Sequence, residues 1–215
     1  IRKHFKPTGL WNRLKLNLNK GIEHLQYDEG RSNINRYEVD MRDRHIKSFL
    51  GEQLPIATEH RGVLSPLDID EYISLGGFDG LKKAMQLSAD EIIQEVKDSG
   101  LRGRGGGGFP TAQKWSLVRK QDSNIKYLIC NGDEGDPGAF MDRMLLESYP
   151  YRVLEGILIA AFATGATKGY FYIRAEYPLA VERVRKALEH ARTHHYLGNN
   201  ILKSDFSFDI EIVQG

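Results

Sequence analysis

Residues 127–138 read YLICNGDEGDPG. Tyr127, Leu128, Ile129 and Cys130 predict a short apolar strand. The chain then breaks into a loop that carries Asp133, Glu134 and Asp136 among Gly132, Gly135, Pro137 and Gly138. Working outward, residues 154–163 are apolar on nearly every face, which predicts a buried helix. Residues 169–174 (GYFYIR) predict a second strand. Pro178 opens a helix with Val181, Val184, Leu188 and Ala191 on one stripe, and Gly198 lies beyond its end. Phe206, Phe208, Ile210 and Ile212 then alternate with Ser207, Asp209 and Glu211, the period-two pattern of a third strand. Strand, helix, strand, helix, strand is the order of an α/β domain.

Toward the N-terminus the pattern is helical. Ser65, Pro66 and Asp68 read as a helix start, followed by Ile69, Tyr72 and Ile73, with Gly76 and Gly77 as the stop. Residues 81–85 predict a short helix. Ser88 and Glu91 have the spacing of a capping box, with Ile92, Ile93 and Val96 as the apolar face behind it and Ser99 and Gly100 at its end. Residues 1–60 lack strong periodicity. Arg2, Lys3, Lys6, Arg13, Lys15 and Lys20 all precede the first acid, Glu23, and this stretch reads as an N-terminal arm or partner-docking extension.

Composition narrows the function classes. With 40% hydrophobic and 27% charged residues, a soluble, core-forming protein fits. Lys+Arg 30 against Asp+Glu 29 gives a net charge of +1, so no nucleic-acid partner is expected. The single cysteine, Cys130, excludes an internal disulfide, and also a cluster held by several cysteines of this stretch alone. It reads as a small buried hydrophobe, and a reducing, cytoplasmic setting is expected. The longest apolar run, 153–166, is interrupted by Glu155 and is too short to span a bilayer. The sequence begins at Ile1 and ends within a strand-and-turn pattern, which is expected of a piece of a longer polypeptide.

Residues 101–110 read LRGRGGGGFP. Gly103, Gly105, Gly106, Gly107 and Gly108 surround Arg104. Glycine loses backbone entropy on ordering, so such a run needs a reason. Close approach of bare N–H groups to a ligand is one. With Arg104, the following helix start and Lys114 one turn in, the loop suits phosphate or another anion. A flexible linker and an arginine–glycine RNA-binding segment are the alternatives. The loop formally matches G-x-G-x-x-G, but a helix precedes it where a dinucleotide fingerprint needs a strand. The acidic loop ends a strand, where α/β proteins bind ligands. Its carboxylates suit ribose hydroxyls, ring N–H groups or cations, and a structural acidic turn is the alternative.

The two loops, SGLRGRGGGGFPTAQKWS and YLICNGDEGDPGAFMDR, closely resemble the flavin-carrying, NADH-oxidising subunit of respiratory complex I and the related subunits of NAD-linked hydrogenases and formate dehydrogenases, some of them electron-bifurcating. The resemblance covers about residue 61 onward. It implies a Rossmann-like domain over 61–215 that binds FMN and NAD(H), and hydride transfer from nicotinamide to flavin. By motif position, it implies that Gly103, Arg104, Gly105, Gly106 and Lys114 contact the FMN phosphate and ribityl chain. Asn131, Asp133 and Glu134 would contact ribityl and ring. Glu134 is the residue expected to tune the flavin, and Phe109 and Asp136 would meet the NADH ligand. Leu117 stands where an aromatic adenine contact is common. The resemblance also implies iron–sulfur partner subunits, including a thioredoxin-like [2Fe-2S] subunit. A 4Fe-4S cluster would lie only beyond Gly215 or in partners. No direct membrane insertion is implied, though a membrane-peripheral complex is compatible with it.

Two smaller readings concern side-chain groups. His190 and His194, four apart on a helix, are expected to complement its C-terminal dipole rather than share a metal. Met141 and Met144 are expected to pack in the core.

Overall fold

Three strands, β1 (Tyr127–Gly132), β2 (Lys168–Ile173) and β3 (Asp209–Gln214), pair in parallel in that order in a computed structural model that describes residues 53–60 and 64–215. Among the described residues seven α-helices accompany them: α1 (Ile69–Ser74), α2 (Asp79–Ala84), α3 (Ala89–Asp98), α4 (Thr111–Arg119), α5 (Met141–Ser148), α6 (Pro150–Thr164) and α7 (Pro178–Thr193). The basic arm expected over 1–60 lies outside the described residues, apart from 53–60.

Strand alternation decides which side chains enter the core. In β2, Gly169, Phe171 and Ile173 are buried, and Tyr170 and Tyr172 on the opposite face are only half-buried. Register sets Cys130 beside Phe171 and Phe171 beside Ile212, so all three strands turn the same apolar face inward. Gly169 is needed there: a Cβ at this position would come within 2.6 Å of the Phe208 ring. Helices α5 and α6 connect β1 to β2, and α7 connects β2 to β3. The stripe Val181, Val184, Leu188 and Ala191 is buried as its spacing predicts. The third strand starts at Asp209, three residues later than the alternation suggests, because Phe208 pairs antiparallel with Gly198 instead.

The capping box forms as read. Ser88 Oγ accepts the Glu91 N–H at 3.3 Å, and Glu91 Oε2 accepts the Ser88 N–H at 2.7 Å. The Ser88 hydroxyl, which also lies 2.7 Å from Glu91 Oε2, and then the Ser88 N–H hold the Glu91 carboxyl below the usual carboxylate range. Helix α5 has no counterpart in the sequence pattern, and Met141 at its start is 53% exposed rather than packed in the core. Its first turn lies at the surface, which a methionine tolerates at little cost.

Glu155 is the one acid in the apolar helix α6, and it is recruited by other elements. Its carboxylate accepts the Tyr72 hydroxyl at 2.5 Å, the Phe78 N–H at 2.9 Å and the Leu81 N–H at 3.1 Å. It thereby caps α2 from outside, whose own N-cap residue, Phe78, has no side chain able to do so. Phe78 sits at φ 61, a costly conformation for an aromatic residue, and is fully buried. The Glu155 bond and stacking on Tyr196 at 3.9 Å between ring centroids hold it there.

Burial first, then the Glu155 hydrogen bond and charge, push the Tyr72 phenol above the tyrosine range. The folded state therefore favours the neutral phenol. Its contribution is complete below the unfolded tyrosine value of about 10 and is lost as pH rises beyond it. Urea melts of the intact polypeptide between pH 8 and 11 should show wild type losing stability faster with pH than Tyr72→Phe. At pH 8 the variant should be weaker by roughly 1–2 kcal/mol. Parallel pH curves would exclude Tyr72 as the source.

Candidate functional site

The glycine loop is a pinched turn between α3 and α4. Arg102 and Pro110 form an isolated antiparallel bridge, the Gly103 N–H donates to Phe109 O at 2.8 Å, and the Thr111 N–H donates to Leu101 O at 3.0 Å. Arg102 Nε crosses the neck to Gly108 O at 2.6 Å, so this arginine closes the turn. Sequence reasoning singles out Arg104 and passes over Arg102. Within the loop, Gly106 (φ 95) and Gly108 (φ 57) adopt a backbone that favours glycine. Gly105 and Gly107 do not, and a Cβ built on either meets nothing within 4 Å. Nothing in the packing of the described residues calls for glycine at those two positions.

The charged groups beside the turn are unpaired. Arg104 and Lys114 are exposed, and their side chains make no hydrogen bond or ion pair with the described residues. Helix α4 begins at Thr111 with Pro110 as its N-cap, no side-chain cap and no acid in its first turn. Apart from the Thr111 N–H, which donates to Leu101 O, its N-terminal partial positive charge meets no capping side chain among the described residues. Phe109 is 43% exposed and Leu117, two turns along α4, is 52% exposed. A cleft of about 510 Å³ lies between α3 and α4, with Arg102 and Pro110 on its wall. It backs onto the root of the loop, and neither Arg104 nor Lys114 lines it.

The acidic loop leaves the end of β1. Asn131 Oδ1 accepts the Asp133 N–H at 3.0 Å, which starts the turn. Glu134 reaches forward to α5, where Oε1 accepts the Asp142 N–H at 3.1 Å and Oε2 the Arg143 N–H at 3.4 Å. It caps a helix whose N-cap residue, Phe140, offers no acceptor. Asp133 lies 3.6 Å from Arg174 Nε. The Asp136 carboxylate is exposed and makes no hydrogen bond or ion pair among the described residues. Asn131, Asp133 and Glu134 are thus brought together, whereas among the described residues no hydrogen bond or ion pair joins this loop to the glycine loop.

Arg174 is the second residue that sequence reasoning misses. It is the first residue after β2 and donates from Nη1 to Glu134 O at 2.5 Å. The only hint in the sequence is an arginine closing an apolar strand. Burial, then the Asp142 charge, push the Cys130 thiol up to about 12, so it is an inert thiol at neutral pH. Burial and the Glu134 charge also raise Asp142 above the usual carboxylate range. His190 Nδ1 is hydrogen-bonded to Tyr151 Oη at 2.7 Å, and among the described residues no group of three or more His, Cys, Asp or Glu could hold a metal ion.

Comparison with known proteins points the same way. The chain is 50% identical over 164 residues to the HndC subunit of the NADP-reducing hydrogenase of Solidesulfovibrio fructosivorans, covering 76% of this chain and 33% of that protein. It is 45% identical over 166 residues to a subunit of the NADH-quinone oxidoreductase of Escherichia coli (strain K12), covering 76% and 37%. The chain thus spans about a third of the length of these curated relatives. A crystal structure of an NAD+-reducing [NiFe]-hydrogenase in the H2-reduced state superposes with a TM-score of 0.54 at 41% identity, covering 60% of this chain and 21% of that one. Residues 96–215, which hold both loops and all three strands, match the family model described as the Nuo51 FMN-binding domain, and since that is more than half of the chain, the chain belongs to this family.

Proposed function

We propose that this chain is the cofactor-gripping part of a flavoprotein that exchanges hydride with NAD(H) and delivers electrons to iron–sulfur clusters in a multisubunit oxidoreductase. The observation that carries the reading is the open space at Gly105 and Gly107. Glycines that the chain's own packing does not require, beside two unpaired cations and an uncapped helix start, form a cradle for a phosphate-bearing ligand. FMN fits this donor set: Arg104 and Lys114 supply charge for its phosphate, and the amides of Gly105 and Gly106 supply donors along the ribityl chain, whereas the Gly103 N–H is spent on Phe109 O and Gly103 lets the neck close. Asn131 and Asp133 supply polar contacts at the ribityl and ring. When bound, FMN supplies the two-electron to one-electron conversion that the amino acids themselves cannot perform.

The chain's own residues then bind and orient. Phe109 presents a flat, exposed ring suited to a nicotinamide-adenine ligand. Asp136, with a free carboxylate, suits ribose hydroxyls as donors to it. Glu134 places a negative charge at the loop while its oxygens hold α5. The higher identity to the hydrogenase relative than to the quinone oxidoreductase relative supports a soluble NAD-linked hydrogenase or formate dehydrogenase as the parent complex. The 45% identity to the quinone oxidoreductase relative supports the second reading, the flavin subunit of complex I. Either carries iron–sulfur partner subunits, including a thioredoxin-like [2Fe-2S] subunit, and is cytoplasmic, free or at the membrane periphery. Among the described residues no helix is long and apolar enough to cross a membrane.

Two variants of the full-length protein test the grip. Arg104→Ala combined with Lys114→Ala should release FMN on gel filtration with the far-UV spectrum unchanged, and unchanged FMN stoichiometry would defeat the assignment. Gly107→Ala should leave the melting temperature within a few degrees, because the added methyl meets no chain atom. It should weaken FMN binding by about tenfold or more through obstruction of the cradle. Glu134→Gln, by removing a negative charge near the flavin, should raise the flavin midpoint potential in a redox titration. An unmoved or lowered potential would remove Glu134 from any tuning role.

A further inference from the structure

The geometry points to Arg174 as the positioning residue that holds the acidic loop in its ligand-ready shape. It sits where β2, the central strand, ends, one residue past Ile173, whose register partners are Gly132 of β1 and Gln214 of β3. From that fixed base its guanidinium reaches two acceptors and one further carboxylate. Nη1 donates to the Glu134 carbonyl at 2.5 Å, Nη2 donates to Glu176 at 3.0 Å, and Nε forms an ion pair with Asp133 Oδ1 at 3.6 Å. A planar fork meets all three at once, which a lysine ammonium on its single flexible stem does poorly.

The fork is itself held in place. Its guanidinium lies 5.9 Å from the centre of the Tyr177 ring, and Tyr177 is buried. The Arg143 guanidinium lies 5.5 Å from the same ring. Arg143 is also the residue whose N–H donates to Glu134 Oε2, and its side chain pairs with Glu147 at 2.8 Å. Glu134 is thus gripped twice, by its carbonyl from β2 and by its carboxylate from α5. Of the loop's three carboxylates, Asp133 is offset by Arg174 and Glu134 is spent on helix N–H groups. Asp136 alone remains without a partner among the described residues. The clamp therefore fixes the backbone of the loop at Glu134 and the charge balance at Asp133, from which the three carboxylates are presented.

The consequence for turnover rests on the proposed NAD(H)–FMN reading, but the clamp itself does not, and the experiment separates the two. In the full-length protein, Arg174→Gln, Arg174→Lys and the control Glu176→Gln are compared with wild type. Hydrogen exchange at amides 131–138, measured without cofactor, should speed up at least tenfold in Arg174→Gln and by less in Arg174→Lys. Glu176→Gln, whose amide oxygen can still accept from Arg174 Nη2, should match wild type. With FMN present, Arg174→Gln should keep full FMN occupancy, because the phosphate grip lies on the other loop. Its KM for NADH should rise about tenfold with kcat changed less than about threefold, and the visible circular dichroism of the flavin should alter. Arg174→Lys carries the same comparison should the glutamine variant fold poorly, with a smaller rise in KM. Exchange, KM and flavin dichroism equal to wild type in both variants would overturn the positioning role. Faster exchange in Arg174→Gln, alongside a wild-type protein that takes up no FMN, would keep the clamp and defeat the flavin reading instead.

Discussion

The parallel register that sets Gly132 beside Ile173 and Ile173 beside Gln214 brings all three strand ends to one edge of the sheet. That alignment rests on burial of Phe171, Ile173 and Ile210 on one face under the helices, and a slip of one residue would turn each of them to the other side. The chain leaving β1 therefore emerges next to the residue that ends β2. Asn131 to Glu134 and Arg174 meet because the core sets the strands level, although 40 residues separate Glu134 from Arg174. The Ala175 N–H donating to Gly215 O at 2.9 Å extends the same edge to β3.

The two helix starts near this region are treated in opposite ways. Helix α5 has its N-terminal N–H groups filled by Glu134. Its partial positive charge is consumed inside the protein and holds the acidic loop down. Helix α4 has no side-chain cap and no acid in its first turn, with Lys114 on the same turn and Arg104 in the loop before it. One positive end is internal scaffolding, and the other meets no acid in its own first turn.

Much of this is legible in the sequence because it is local. The Ser88–Glu91 box, the Pro178 helix with its stripe, and the alternation through Ile210 each announce themselves within a few residues, and each forms. The failures share a cause. Helix α5 is capped by Glu134, seven residues before its first residue, and α2 by Glu155 from a separate helix, so neither start shows a capping residue next to it. Glu155 reads as a flaw in an apolar helix until its partners at Tyr72, Phe78 and Leu81 are seen. Arg102 and Arg174 act on backbone carbonyls, and an arginine that bonds a carbonyl leaves no complementary residue type for sequence inspection to find. The glycine loop itself is readable, since a run of glycines has few explanations. Which of the glycines the chain needs for its own turn, and which it does not, emerges only from the backbone angles.

The two loops also differ in how much order they possess before a ligand arrives. The acidic loop is tied to β2, α5 and, through Tyr177, to the start of α7. The glycine loop is tied at its neck by Arg102, Gly103 and Phe109, and beyond the neck Gly105, Gly106 and Gly107 have open space where a side chain would project. Fixing glycine costs more conformational entropy than fixing any other residue. A ligand that bonds those amides must offset that cost, and the charge on Arg104 and Lys114 is the means at hand. Under the proposed flavin reading, the acidic loop discriminates by shape while the glycine loop supplies affinity. A substitution in the acidic loop should act mainly on which ligand is accepted and how its ring is held, whereas one in the glycine loop should act mainly on whether anything is held at all.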